Sequence, residues 1–281
     1  MMSKEIRGFS KLSKKEKIEW LTAKYFKSKT KAKETLTKYW NSDKILQKLH
    51  DEFSENTLSN FYLPFAIAPN FLINNKIYTI PMTIEESSVV AAASKAAKFW
   101  MNHGGFKAEV IKTEKIGQIH FLYSGDKKYI YNYFEFIKPL LFKNTKTITK
   151  KMNSRGGGII DIKLIDKTSE LNNYYQIFAT FDTIDAMGAN FINSCLEEFS
   201  QIFTSSIPKF NNDNLKSKDV DIIMSILSNY VPNCVVKSEL SCSVKELNKL
   251  ESKTKNFANR IVKAVEIANT DIHRAVTHNK G

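Results

Sequence analysis

The sequence predicts an α+β protein in which a helix-rich unit is interrupted by a small sheet unit, on three observations. Between about 111 and 228 the pattern runs strand, helix, strand, strand, helix, strand, at 116–123, 127–142, 159–165, 174–181, 189–203 and 220–227. Outside that stretch apolar residues recur mainly at helical spacing. At 281 residues the chain is long enough for two domains with their own cores. The order βαββαβ is the ferredoxin-like split-βαβ arrangement, an antiparallel sheet with helices on one face. The predicted organisation is a large domain of residues 1–110 and 229–281 with an inserted small domain of 111–228.

The first helix starts at Ser13-Lys14-Lys15-Glu16, a capping box in which serine and glutamate side chains satisfy the free amides of a helix start. Ile18, Leu21 and Tyr25 continue one face, and further helical patterns cover about 30–40 and 43–53. Trp20, Tyr25, Phe26, Tyr39 and Trp40 recur with apolar neighbours and are expected as core anchors. Phe71-Leu72-Ile73, Asn74-Asn75 and Ile77-Tyr78-Thr79-Ile80 read as a hairpin with a tight turn. A helix with alanines at 91, 92, 93, 96 and 97 follows from about 87 to 102 and stops at Gly104-Gly105. After the sheet unit, 229–281 returns to helix-rich composition, and Thr277-His278-Asn279-Lys280-Gly281 reads as a polar, cationic loop.

With 42% hydrophobic and 12% aromatic residues the chain is globular in composition. No run approaches the roughly 18–20 apolar residues of a membrane span, and Met1-Met2-Ser3-Lys4-Glu5 lacks the apolar core of a signal peptide. Cys195, Cys234 and Cys242 have neither metal-site spacing nor disulfide-scaffold density. A reduced, cytoplasmic protein is expected, without a metal and without a membrane anchor. Of the net charge of +13, residues 1–50 carry 14 Lys/Arg against 5 Asp/Glu. That excess is compatible with a solvated helical face, a nucleic-acid surface or attraction of a phosphate-rich ligand; no nucleic-acid reading motif accompanies it.

Three segments carry candidate chemistry. Glu85 and Glu86 lie between a strand and the Ala-rich helix, either as a charged cap or as a general acid raised in pKa by partial burial. Phe181–Asn190, with Gly188 at a strand-to-helix junction, is a glycine-bearing turn or an anion site at a helix N-terminus; it is not GxGxxG, which excludes a Rossmann reading. Arg155-Gly156-Gly157-Gly158 precedes a strand and is less specific. In the last segment Lys280 offers a cation to a developing oxyanion and Arg274 a bidentate grip on a carboxylate, or both belong to a solvated basic tail. No nucleophile triad or metal-ligand cluster is readable by spacing.

Taken together, Glu55-Asn56-Thr57-Leu58, PMTIEESSVVAAAS at 81–94, DAMGAN at 185–190, SILSN at 225–229 and HRAVTHNKG at 273–281 resemble the soluble, bacterial-type (class II) 3-hydroxy-3-methylglutaryl-CoA (HMG-CoA) reductases. The resemblance runs from about residue 5 to 281, and several separated motifs in the family's order are far more specific than any one. It implies a reduction of HMG-CoA to mevalonate and CoA with two hydrides from NADPH or NADH. Glu86 matches the family's catalytic glutamate, a proton donor, and Lys280 the catalytic lysine that stabilises charge on the carbonyl oxygen. Ser88, Arg274 and Asn229 match positions that bind the HMG moiety. Asp185, Met187, Gly188, Ala189 and Asn190 match the dinucleotide-binding segment. The resemblance makes the small domain the dinucleotide-binding one and the large domain the HMG-CoA-binding one, and implies a homodimer or higher homo-oligomer.

There are departures from the family pattern. Ser59 stands where the family's ENVIG has glycine. The family's aspartate in a GND motif and its flap histidine follow the lysine loop and have no counterpart here. The expectation is therefore an N-terminal fragment that is inactive alone, with a catalytically silent CoA- or dinucleotide-binding protein as the alternative. NADH-preferring members place an aspartate ahead of the triple glycine, opposite Thr149 here. The stretch Lys146–Lys151 has three lysines and no acid, so NADPH is favoured.

Overall fold

The computed structural model describes residues 5–210, 215–216, 219–250 and 256–280. It contains both helices and sheets and divides into two compact units, one of Met1–Gly105 with Ser241–Gly281 and one of Phe106–Leu240.

The first unit opens with α1 (Lys14–Tyr25), whose capping box forms as the sequence requires: the Glu16 amide donates to Ser13 Oγ and the Ser13 amide to Glu16 Oε2. The helices α2 (Lys29–Lys38) and α3 (Lys44–Glu52) follow. Asp43 caps α3 by accepting from the amides of Ile45 and Leu46 at 2.8 and 3.1 Å. The aromatic side chains expected as core anchors are not buried: Tyr25, Phe26 and Tyr39 are exposed. Only the faces shared by these short helices are covered, so the rings sit at the rim, with Trp20 edge-on to Phe9 and Tyr25. Next, β1 (Phe65–Ile73) and β2 (Lys76–Thr83) pair antiparallel. Their turn, Asn74-Asn75, has φ of 47° and 66°, the left-handed pair a tight two-residue hairpin turn needs. On β1 packs α4 (Val89–Met101), with Ala97 fully buried. The remaining helices of this unit are α8 (Val244–Lys249), α9 (Phe257–Thr270) and α10 (Ile272–Lys280).

In the second unit β3 (Lys107–Tyr123) is the central strand, followed by α5 (Lys127–Asn144), α6 (Lys146–Asn153), β4 (Gly158–Asp166), β5 (Tyr174–Asp182), α7 (Ala189–Ser205), β6 (Val220–Leu227) and β7 (Cys234–Glu239). The four-strand path is β4-β5-β3-β6, antiparallel throughout, and β7 pairs with the first half of β3. That extra ladder widens the unit to 106–240, and β7 is a strand within a stretch whose composition predicts helix. One face of the sheet holds the core. Ile119, Phe121, Tyr123, Ile177, Ala179 and Phe181 alternate inward along β3 and β5, against Ile130, Tyr133 and Ile137 of α5 and Cys195, Leu196 and Phe199 of α7. Their alternates Gln118, His120 and Gln176 face the other way in a hydrogen-bonded row: Gln118 Nε2 donates to Gln176 Oε1 at 3.0 Å and His120 Nδ1 lies 2.6 Å from Tyr174 Oη.

Candidate functional site

The acidic pair leaves the sheet between two fixed ends. β2 stops at Thr83 and α4 starts at Val89, so residues 84–88 must turn the chain onto the helix. Ser88 makes the turn at φ 71°, a left-handed backbone in which a side chain other than glycine's is strained. Its carbonyl accepts the Ala92 amide at 2.8 Å, while its hydroxyl does not cap the helix. Glu85, Glu86 and Ser88 line a cavity of about 330 Å³ with Pro64, Ala66 and Ile84. Glu86 and Glu85 are both exposed. The partial burial expected of this pair is thus not what this cavity supplies.

The last segment differs from its sequence reading. The residues from 277, expected as a loop, continue α10 to Lys280. No glycine or proline interrupts Ile272–Lys280, and Asp271 starts the helix by accepting the His273 amide at 3.0 Å. Arg274 lies exposed on this helix. No described residue of α9 or α10 lines the cavity at Glu86. The backbone of Lys280 is helical, and its side chain lies outside the described residues, as does Gly281. Glu86 and Ser88 are therefore brought together, whereas Arg274 does not reach their cavity.

In the second unit two loops meet at one end of the sheet. Gly158 and Asp182 are partners in the β4·β5 ladder, so the triple-glycine loop entering β4 lies against the loop leaving β5. The β5 loop is built by its own side chains. Asp182 accepts the Ile184 amide and the Thr113 hydroxyl, each at 2.8 Å, and the Thr183 hydroxyl donates to the Ala186 carbonyl at 2.7 Å. Ile184 is thereby held at φ 54°, unusual for a β-branched residue. Gly188 precedes α7 at φ 79°, and a Cβ there would lie 2.4 Å from Thr183 Cγ2. Only glycine satisfies both conditions. α7 has no side-chain cap and no acid in its first turn, so its amides are available to an anion. Met187, Asp185 and Asn190 are exposed and Ala189 half-buried at this corner.

Thr149 is placed differently. It is buried on α6 and accepts from Asn153 Nδ2 at 3.2 Å. Among the α6 groups facing solvent, Lys146, Lys150 and Lys151 are the cations. Asn229 is exposed just after β6, in the second unit, where the Ser228 hydroxyl shapes the turn by accepting the Tyr230 amide. Ser59, in place of the family's glycine, donates from its hydroxyl to the Leu36 carbonyl, so it ties the segment to α2.

Two residues of the candidate segments have partnerships that were not read from sequence. Arg155 pairs with Asp185 across the two loops, and Asp182 holds the β5 loop together. An Asp two residues before an amide it caps is a readable turn signal. The Arg155 partnership needs the β4·β5 register and has no local signal. Among the described residues no His, Cys, Asp and Glu group could hold a metal ion, and no helix is long and apolar enough to cross a membrane.

Comparisons with known proteins agree among themselves. The family model described as hydroxymethylglutaryl-coenzyme A reductase matches residues 13–281. A 3-hydroxy-3-methylglutaryl-coenzyme A reductase of Archaeoglobus fulgidus is 34% identical over 202 residues, covering 70% of this chain and 44% of that protein. A probable 3-hydroxy-3-methylglutaryl-coenzyme A reductase of Borreliella burgdorferi is 29% identical over 252 residues, 85% of this chain and 52% of the relative. The chain thus spans about half the length of these relatives. The solved class II enzyme of Streptococcus pneumoniae, bound to NADPH in open conformations, superposes with a TM-score of 0.68 at 30% identity, over 98% of this chain and 70% of that one.

Proposed function

The chain belongs to the hydroxymethylglutaryl-coenzyme A reductase family, and from that premise we propose that it serves the reduction of HMG-CoA to mevalonate and CoA in isoprenoid synthesis. The observation that carries the reading is the joint placement of Glu86 and Ser88 on one cavity, in a motif that matches the family's. Glu86 delivers a proton to the carbonyl as it is reduced, and Ser88, with its hydroxyl not engaged in capping, holds the HMG moiety. Arg274 and Asn229 grip the same moiety, and Lys280 stabilises negative charge developing on the carbonyl oxygen. α10 must then bring Arg274 to the Glu86 cavity in the working enzyme.

The second unit is read as a ferredoxin-like dinucleotide-binding domain, a reading its antiparallel order β4-β5-β3-β6 with α5 and α7 on one face supports. The corner built from Asp185, Met187, Gly188, Ala189 and Asn190 fits a nicotinamide dinucleotide. Gly156, at φ 93°, has open space where a Cβ would stand, so backbone can be approached there. When bound, the nicotinamide supplies hydride. The chain's residues would hold it, with the uncapped amides of α7 offering donors to its phosphates. NADPH is preferred over NADH because Lys146, Lys150 and Lys151 attract a 2′-phosphate. Thr149, being buried, acts by fixing α6. The protein works in the cytoplasm as a homodimer or higher homo-oligomer.

The test is HMG-CoA-dependent oxidation of NADPH by the product of the whole reading frame, followed spectrophotometrically. Turnover that Glu86→Gln abolishes supports the reading. Binding of HMG-CoA and dinucleotide without turnover would replace it with the catalytically silent binding protein.

A further inference from the structure

Arg155 stands where two independently fixed loops touch. On its own loop, the Arg155 amide donates to the Met152 carbonyl at 3.1 Å, and the amides of Gly156 and Gly157 to Asn153 and Met152 at 3.0 and 3.1 Å. The end of α6 therefore sets where its side chain begins. Asp185 is set just as firmly, by Asp182 on the Ile184 amide and by Ala186 donating to the Thr183 carbonyl at 2.9 Å. Both partners are well exposed, with side chains 50% and 79% accessible. An ion pair so exposed contributes little to stability. The described contact occupies only the Nη2 end of the guanidinium, and its other N–H donors point to no described acceptor.

The charges around the pair are lopsided. Asp185 is an acid three residues before the α7 N-cap, a place where a phosphate would otherwise meet repulsion. Arg155 cancels that charge, and Lys150 and Lys151 add two exposed cations on the helix before it. The result is a cationic corner bordered by glycine backbone and by uncapped helix amides.

We propose that Arg155 binds a phosphate group of the dinucleotide, with Asp185 orienting its guanidinium from the facing loop. This rests on the dinucleotide reading of the corner. Two phosphates share this chemistry, the bridging pyrophosphate and the 2′-phosphate of the adenosine ribose. Arg155 is thus a binding residue, and Asp185 is in part a positioning residue that acts through it.

The experiment measures dissociation constants of NADPH and NADH by calorimetry on the 281-residue chain, for wild type, Arg155→Gln and Arg155→Lys. Loss of a charge-assisted hydrogen bond and exposure of Asp185 should weaken binding about tenfold or more in Arg155→Gln. Loss confined to NADPH assigns the 2′-phosphate; equal loss for both cofactors assigns the pyrophosphate. Arg155→Lys should recover part of the affinity, because the charge returns without the planar fork. All three proteins should melt at the same temperature, which separates recognition from folding. Wild-type affinity for both cofactors in Arg155→Gln overturns the proposal. Wild-type protein that binds neither cofactor instead overturns the dinucleotide reading beneath it.

Discussion

The two units are built from the same chain by opposite means. In Phe106–Leu240 a continuous core runs from Ile119 through Tyr133 and Phe199 to Phe203, closed by one sheet face and two helices. In the other unit the described buried apolar residues are Ile18, Ala32, Ala68 and Ala97. Its larger side chains lie outside: Ile45 is 84% exposed, Phe61 87% and Phe65 75%. The lesson is that the proposed dinucleotide corner rests on a self-sufficient scaffold. The Glu86 cavity rests on elements whose apolar faces are still open to a covering surface.

Chemistry offers the sharpest way to separate the units. In the product of the whole reading frame, Glu86→Gln should lower kcat for HMG-CoA reduction by about 10³-fold or more, since the amide keeps the shape but carries no transferable proton. Dinucleotide affinity, proposed for the other unit, should not change. Glu85→Gln should be milder. Steady-state kinetics decides it, and the reverse order of the two mutants would move the acid role to Glu85.

Packing separates them next. Phe199 is fully buried between α7 and the sheet, so Phe199→Ala should cost about 3–5 kcal/mol in urea unfolding. Phe65→Ala, on the open face of β1, should stay within about 0.5 kcal/mol. A cost at Phe65 near that at Phe199 would mean the face is covered, as it would be by a second copy of the chain. Light scattering then tells whether that copy is present.

Cofactor choice is a smaller effect, carried by exposed charges. Replacing Lys150 and Lys151 together by glutamate puts repulsion where the proposed reading has attraction for a 2′-phosphate. It should move the NADPH-over-NADH preference by about 1–3 kcal/mol in kcat/KM. An unchanged ratio would show that the lysines of α6 do not face the ribose.

The same contrast explains what could be read from sequence. The second half of β3, strand β5 and helices α5 and α7 were legible because a closed core imposes its period: Phe121 and Tyr123, or Ile177, Ala179 and Phe181, alternate without interruption. β7 was not legible, since its exposed residues Val235 and Val236 carry no alternation. Nor was α6, an eight-residue helix with only Ile148 and Met152 as apolar markers. The aromatics of α1 and of the segments just after α1 and α2 were misread because helical spacing shows which residues share a face and not whether anything covers it. For the site, glycine and acid motifs were visible locally. The meeting of Arg155 with Asp185 was not, because it depends on register between strands.

The smallest effect concerns an ion pair at the rim of the closed unit. Asp166 ends β4, and Lys127 opens α5, with Nζ 2.5 Å from Asp166 Oδ2. The Lys127 hydrogen bond, helped by the Thr168 hydroxyl and amide, lowers the Asp166 carboxyl to about 2. Because the folded value lies below the unfolded one, the pair contributes stability above the unfolded carboxyl range, near about 4. That contribution fades as pH falls from there through the folded value. Lys127 is mostly exposed, which limits the whole contribution to under about 1 kcal/mol. Asp166→Asn should therefore be slightly less stable than wild type at about pH 7, and the difference should shrink toward zero at about pH 2. Urea unfolding at the two pH values measures it. A gap that widens on acidification would show that the carboxylate is held against its charge rather than by it.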